Sequence, residues 1–147
     1  MLNWFSQSPQ SDSVVITGAS TVIGAACALA LDKLGYRVFA GVRHSADGER
    51  LQQQAGPRLM PIRLDVTDAA SISAASHTVA AMVGERGLAG LVNNAGITRD
   101  DLLMRMKESD FDAVINTNLK GTFNTIRHLS RYLLKQRAGK IINISSV

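Results

Sequence analysis

Residues 13–35 read SVVITGASTVIGAACALALDKLG. Its first four residues are a short β-branched run that meets glycine at Gly18, the pattern of a buried strand with an abrupt exit. The alanine- and leucine-rich run that follows is helical and is closed by Gly35. A strand that turns directly into a helix over a Thr17-Gly18-Ala19-Ser20 corner leaves free N–H groups and a positive dipole end at the turn. That corner is a candidate anion cradle. Gly18 supplies the turn without a Cβ, and Gly24 permits close packing of the helix on the sheet.

The same alternation continues along the chain. YRVFAGV (residues 36–42), RLMPIRLDV (58–66), LAGLVNNAG (88–96) and GKIINISS (139–146) read as further strands. Between them lie a short polar helix at ADGERLQQQ, a helix through residues 69–87 capped by Thr67 or Asp68, and a helical stretch over residues 100–137 with a break near Lys107 to Asp110. Strand–helix alternation of this length predicts an α/β fold: a Rossmann-type, doubly wound parallel sheet of five strands, of flavodoxin-like size, as one domain over residues 1–147. Residues 1–12 read as an irregular leader in which Trp4 and Phe5 seek an apolar contact. No run approaches the roughly 18–20 apolar residues of a transmembrane helix, and the leader lacks the basic start and apolar core of a signal peptide.

Composition narrows the function classes. The chain has 147 residues, 46% of them hydrophobic, enough for a core without staples. Its single cysteine, Cys27, excludes an internal disulfide framework and suits a reducing cytoplasm. The net charge of +4 arises entirely after Thr98. Lys120, Arg127, Arg131, Lys135, Arg137 and Lys140 follow one another with no acid among them. Such a stripe is a solvated helix face or an attraction for an acidic partner. Few aromatics interleave it and no nucleic-acid-binding motif is present, so nucleic acid is not an expected partner. No cluster with metal-ligand spacing occurs.

Four motifs in order carry a resemblance: Thr17-Gly18-Ala19-Ser20 with Ile23-Gly24, Asn93-Asn94-Ala95-Gly96, Asn118, and Asn143-Ile144-Ser145-Ser146. Together they resemble the short-chain dehydrogenase/reductases from about Val14 to the last residue. From Thr98 onward the wording is most similar to the β-ketoacyl-acyl-carrier-protein reductase branch; the earlier part resembles a general member, the pattern a chimera would give.

The resemblance implies strand order 3-2-1-4-5 and a dinucleotide site at Gly18, Ser20, Ile23, Gly24, Arg43, Asp65, Val66, Asn93, Ala95 and Gly96. It places no acid at the end of the second strand, where Ala40-Gly41-Val42-Arg43-His44 stands, so NADP(H) rather than NAD is the implied cofactor. Taken alone, Arg43 is also an ordinary surface residue at a strand exit, and Asp65 an ordinary turn residue. The family's middle glycine falls on Val22, whose branched side chain predicts a shifted loop or weakened, even absent, cofactor binding.

Of the family's catalytic set, the resemblance implies Asn118 as the residue that holds a relay water and Ser146 as the one that positions a carbonyl. Its Tyr-x-x-x-Lys pair follows that serine, and the sequence reaches Val147 first. Tyr132 has Lys135 at i+3, which fails the spacing, and Tyr36 opens a strand. The expectation is a truncated reductase module without a proton donor. The alternatives are a self-associating scaffold that binds no cofactor and a half-enzyme completed by a partner chain. Phe123, Ile126, Leu129, Leu133 and Leu134 on the last helix are the expected contact for a homodimer or larger assembly, Tyr132 belongs to the same subunit-packing stretch, and an acidic carrier protein is the partner that the resemblance implies.

Overall fold

The computed structural model describes residues 12–145 of the chain, except for the side chain of Gln136. The leader with Trp4 and Phe5, and Ser146 with Val147, lie outside the described residues.

The elements run β1 (Ser13–Ile16), α1 (Val22–Lys33), β2 (Arg37–Val42), α2 (Ser45–Gln52), β3 (Leu59–Arg63), α3 (Ala69–Val83), β4 (Gly90–Asn93), α4 (Glu108–Val114), a π-helical turn (Ile115–Lys120), α5 (Gly121–Gln136) and β5 (Lys140–Asn143). The five strands are parallel and ordered β3-β2-β1-β4-β5, as expected. Side chains alternate across the sheet, so β1, β2, β3 and β4 each feed two cores, while β5 is exposed. Val14, Ile16, Val38, Ala40 and Leu59 pack under α1 and α2. Val15, Phe39, Ile62 and Leu91 pack under α3 and α5. Cys27 is half-buried against the first of these cores.

Local chemistry sets the element ends. Thr21 caps α1 with its hydroxyl toward the Gly24 N–H. Asp68 caps α3 by accepting from Ala70, while Thr67 turns instead to Asp65. Asp32 is buried at the end of α1 and accepts the Gly56 N–H at 2.6 Å, which ties the α2–β3 loop to α1.

The two sheet edges differ. On β3, Val38 donates to Arg58 and Leu64 donates to Val42, so alternate residues face β2 and the set Leu59, Pro61 and Arg63 faces outward. Pro61 has no N–H to offer, and Leu59 spends its own on Gly56. Edge β3 is therefore blunted against pairing. Edge β5 carries no proline.

Two expectations are corrected. Residues 100–107 are not helical: they form turns that expose Leu102, Leu103 and Met104, and helix begins only at Glu108. A spacing of apolar residues that fits a helix does not fix one where no core lies beneath it. The apolar face of α5 is also not free. Leu129, Leu133 and Tyr132 are buried in the chain's own core and Ile126 is packed against it, which leaves Phe123 and Leu134 exposed. Tyr132 is thus interior, and its carbonyl accepts the Leu88 N–H.

Candidate functional site

The strand order reverses between β1 and β4, and ligands of open α/β sheets bind where that reversal opens a crevice at the carboxyl ends of the strands. A narrow cleft lies there. It is lined by Gly18, Ser20, Thr21, Gly41, Arg43, Asp65, Val66, Thr67, Ala95, Gly96, Ile97 and Thr117. It brings together seven of the ten expected cofactor residues. Gly24 and Asn93 sit beneath it, both buried, and Ile23 is exposed on the first turn of α1. A larger, open concavity of about 580 Å³ lies outside α2 and β3, and Arg43 borders both. The narrower cleft is the better candidate, because the loop and helix end that offer donors open into it.

The floor of the site is built from contacts between the β1 and β4 exits. Gly18 has φ +66°, and a Cβ there would fall 2.8 Å from the Ala95 Cα. A Cβ on Gly24 would fall 2.2 Å from the Gly18 carbonyl oxygen. The buried Thr17 hydroxyl accepts the N–H groups of Asn94 and Ala95, each at 3.0 Å. The Asn94 amide donates back to the Thr17 and Gly18 carbonyls and to the Thr21 hydroxyl. Asn94 is therefore the clamp that closes the loop after β1 onto the exit of β4. Local side-chain-to-backbone bonding within its own turn, the ordinary role of such an asparagine, is replaced by bonds to residues more than seventy positions away.

A second network lies behind it. Thr125, fully buried on α5, donates to the Asn93 side-chain oxygen at 2.7 Å, and the Asn93 amide donates to Asn143 on β5 at 2.9 Å. The pair Asn93 and Asn143 are register partners, so the network aligns the exits of the last two strands.

Asn118 stands in the π-helical turn. Its side chain accepts the Ile97 N–H at 2.9 Å and donates to the Ile97 carbonyl at 3.0 Å. Both ends of the amide bond Ile97, so the side chain fixes the segment after Gly96; one N–H and one oxygen lone pair of the amide are left over. The Asn118 carbonyl already accepts the Thr122 hydroxyl at 2.8 Å. Ser146 lies outside the described residues.

Val22 is 88% exposed, is the first residue of α1, and does not line the cleft. Its φ is negative, since Arg137 is the one described non-glycine residue with a positive value. The strain expected from a branched residue is absent, because the positive φ of this loop falls on Gly18 instead.

The residues fit a dinucleotide. The first turn of α1 has a capped entry and a 12-residue dipole behind it, and the N–H groups of Val22 and Ile23 have no partner among the described residues. Arg43 and Asp65 both line the cleft. Burial raises the Asp65 pKa, but hydrogen bonds from the Thr67 hydroxyl and N–H, with Arg43 and Arg63 nearby, outweigh this and hold it below the usual carboxylate range.

A depressed folded-state pKa contributes stability above the unfolded value of about 3.9 that is lost as the pH falls through the folded value. Asp65→Asn should therefore lose less stability than the parent between pH 6 and pH 3, read from urea midpoints. Equal losses in the two proteins would remove Asp65 from the account of acid unfolding.

The sequence reading missed Thr21, Gly41, Thr67, Ile97 and Thr117 as cleft residues. Thr21 was legible as a capping residue between strand and helix; the others become neighbours only through the sheet.

Comparison with known proteins agrees with the fold. The sequence model of the family described as short chain dehydrogenase matches residues 12–147. The 3-oxoacyl-[acyl-carrier-protein] reductase FabG of Staphylococcus aureus is 46% identical over 139 residues, covering 92% of this chain and 56% of that protein. The protein of the same name from Thermotoga maritima is 44% identical over 136 residues, and that from Salmonella typhimurium 39% over 133, each covering 90% of this chain and 54% of the relative. The chain thus spans about half the length of the curated relatives it matches. No described helix is long and apolar enough to cross a membrane.

Proposed function

The chain belongs to the short-chain dehydrogenase family, and from that premise we propose that it is the NADP(H)-binding half of a 3-oxoacyl-type reductase, without turnover of its own. The observation that carries this reading is the cleft itself. The turn at Gly18, the open N–H groups of α1 and Arg43 converge on one crevice at the sheet's switch point. Bound there, the dinucleotide would supply hydride to a carbonyl. The chain's own residues bind and orient it. The first turn of α1 holds the pyrophosphate, Asp65 and Val66 flank the adenine, and Ala95 and Gly96 bound the ribose path. Arg43, with no acid at the end of β2, accepts a 2′-phosphate.

Neither tyrosine of this chain is placed to deliver the proton. Tyr132 is buried in the core and Tyr36 packs under α1, so neither of the chain's two tyrosines reaches the cleft. Asn118 acts as a positioning residue through Ile97. The printed name of the relatives supports an acyl group on a carrier protein as the parent substrate, and the exposed Arg127 and Arg131 on α5 suit such an acidic carrier. A reducing compartment suits the free Cys27.

Arg43→Ala tests the cofactor reading. A lost charge-assisted contact to phosphate is worth about 1.5–3 kcal/mol, so NADPH affinity should fall by roughly 10- to 100-fold while NADH affinity changes little. Equal losses for both would remove Arg43 as the 2′-phosphate reader.

A further inference from the structure

Arg43 is the one residue that lines both the cleft and the wider concavity outside α2 and β3. A second arginine stands beside it. Arg63 on β3 is the register partner of Val42 and shares its face of the sheet, the face on which α2 packs. Arg43 follows Val42 directly, so the two arginines sit on neighbouring strands with Cα atoms roughly 6 Å apart. Both are exposed and both line the concavity.

Among the described residues, neither guanidinium has a hydrogen-bond or ion-pair partner. Other arginines near this end of the sheet are spent. Arg37 donates to the Met82 carbonyl, Arg50 pairs with Asp47, and Arg58 donates to the Gly35 carbonyl. Burial raises the Asp65 pKa, and the Thr67 bonds with the Arg43 and Arg63 charges outweigh it, so Asp65 lies within electrostatic reach of both arginines. Its Oδ1 is taken by the Thr67 hydroxyl and N–H. Two cations against that one carboxylate leave a net positive charge where the cleft meets the concavity. Glu49 is the one acid among the residues lining the concavity, and it stands a turn along α2.

We propose that Arg63 is a second specificity residue for the cofactor: with Arg43 it clamps the 2′-phosphate between the exits of β2 and β3. A phosphate there meets two forked donors from two strands, each able to make paired N–H···O bonds. A ribose with only its 2′-OH offers neither the charge nor the oxygens, so Arg63 contributes little to NADH binding. The site lies at the opposite end of the sheet from β5. This inference rests on the cofactor reading above, and it goes beyond that reading in giving β3 a part in choosing the cofactor.

The test is calorimetric titration of the whole chain and of Arg63→Gln with NADPH and with NADH. Glutamine keeps part of the stem and removes the charge at an exposed position, so the urea midpoint should match the parent's. NADPH affinity should fall about tenfold, the effect of one charge-assisted contact, and NADH affinity should stay within about twofold. A variant that keeps the parent's preference for NADPH overturns the inference, as does one that loses both nucleotides equally. A parent with no preference for NADPH overturns the cofactor reading and the inference with it, so the two failures are read from different titrations. Should Arg63→Gln not fold, chemical modification of the parent decides. NADPH, but not NADH, should shield Arg63 from an arginine-selective dicarbonyl, read by mass spectrometry of the peptides. Equal modification with the two nucleotides overturns the inference.

Discussion

Gly24→Ala should abolish measurable dinucleotide binding and destabilise the fold by about 3 kcal/mol, near the top of the range for a forced insertion into a packed site. The added Cβ would lie 2.2 Å from the Gly18 carbonyl oxygen, 2.5 Å from the Asn94 amide nitrogen and 2.9 Å from the Gly18 carbonyl carbon. Two of these three atoms are backbone, so no rotamer relieves the clash. Either α1 slides off β1 or the Gly18 peptide rotates. Either movement breaks the Asn94 clamp and displaces the N–H groups that would face a pyrophosphate. A displacement of about 1 Å at such a site costs on the order of 100-fold in function. Gly96→Ala is the control. Gly96 belongs to an equally recognisable motif, yet its nearest neighbour to a new Cβ is the Asn118 oxygen at 3.5 Å, an ordinary contact. It should fold with a change of about 0.5 kcal/mol or less, as a substitution free of clash does. Urea unfolding of the two variants separates the cases, and equal stabilities would contradict the packing account.

Thr17→Val should cost about 2–4 kcal/mol. The substitution is nearly isosteric at a site 1% exposed, so little packing changes. The loss is chemical. The hydroxyl accepts both the Asn94 and the Ala95 N–H, and each donor left unpaired away from water costs about 1–3 kcal/mol. Those two N–H groups fix the direction in which the chain leaves β4, and hence where Ala95 and Gly96 stand on the cleft. Thr17→Ser keeps the acceptor and removes only a methyl, for about 1 kcal/mol. A valine variant as stable as the serine variant would show that the two donors find other partners.

Much of this was legible in order and spacing. The β-branched runs made the parallel strands legible, most clearly in β1, β2 and β4, which are almost wholly buried and so leave a continuous apolar signature. The turn at Gly18 and the seven cleft residues followed from motifs set at strand ends. What stayed hidden depends on the third dimension. Asn94 reads as a local turn residue, yet its partners are Thr17, Gly18 and Thr21. Residues 100–107 carry helix-like spacing but meet no core. Leu129 and Leu133 share a helix with Phe123 and Leu134, and only packing against α3 and β4 decides which are spent inside. Val22 looked strained by its motif position, and the structure moves the demanding φ to Gly18.

On the proposed reading this chain holds a dinucleotide by itself. The decisive experiment is a calorimetric titration of the purified chain with NADPH, and with NADH beside it. NADPH should bind at micromolar concentration and NADH more weakly, with no carbonyl reduction by the chain alone. No heat with either nucleotide would contradict it and leave a Rossmann-type scaffold whose role lies in assembly.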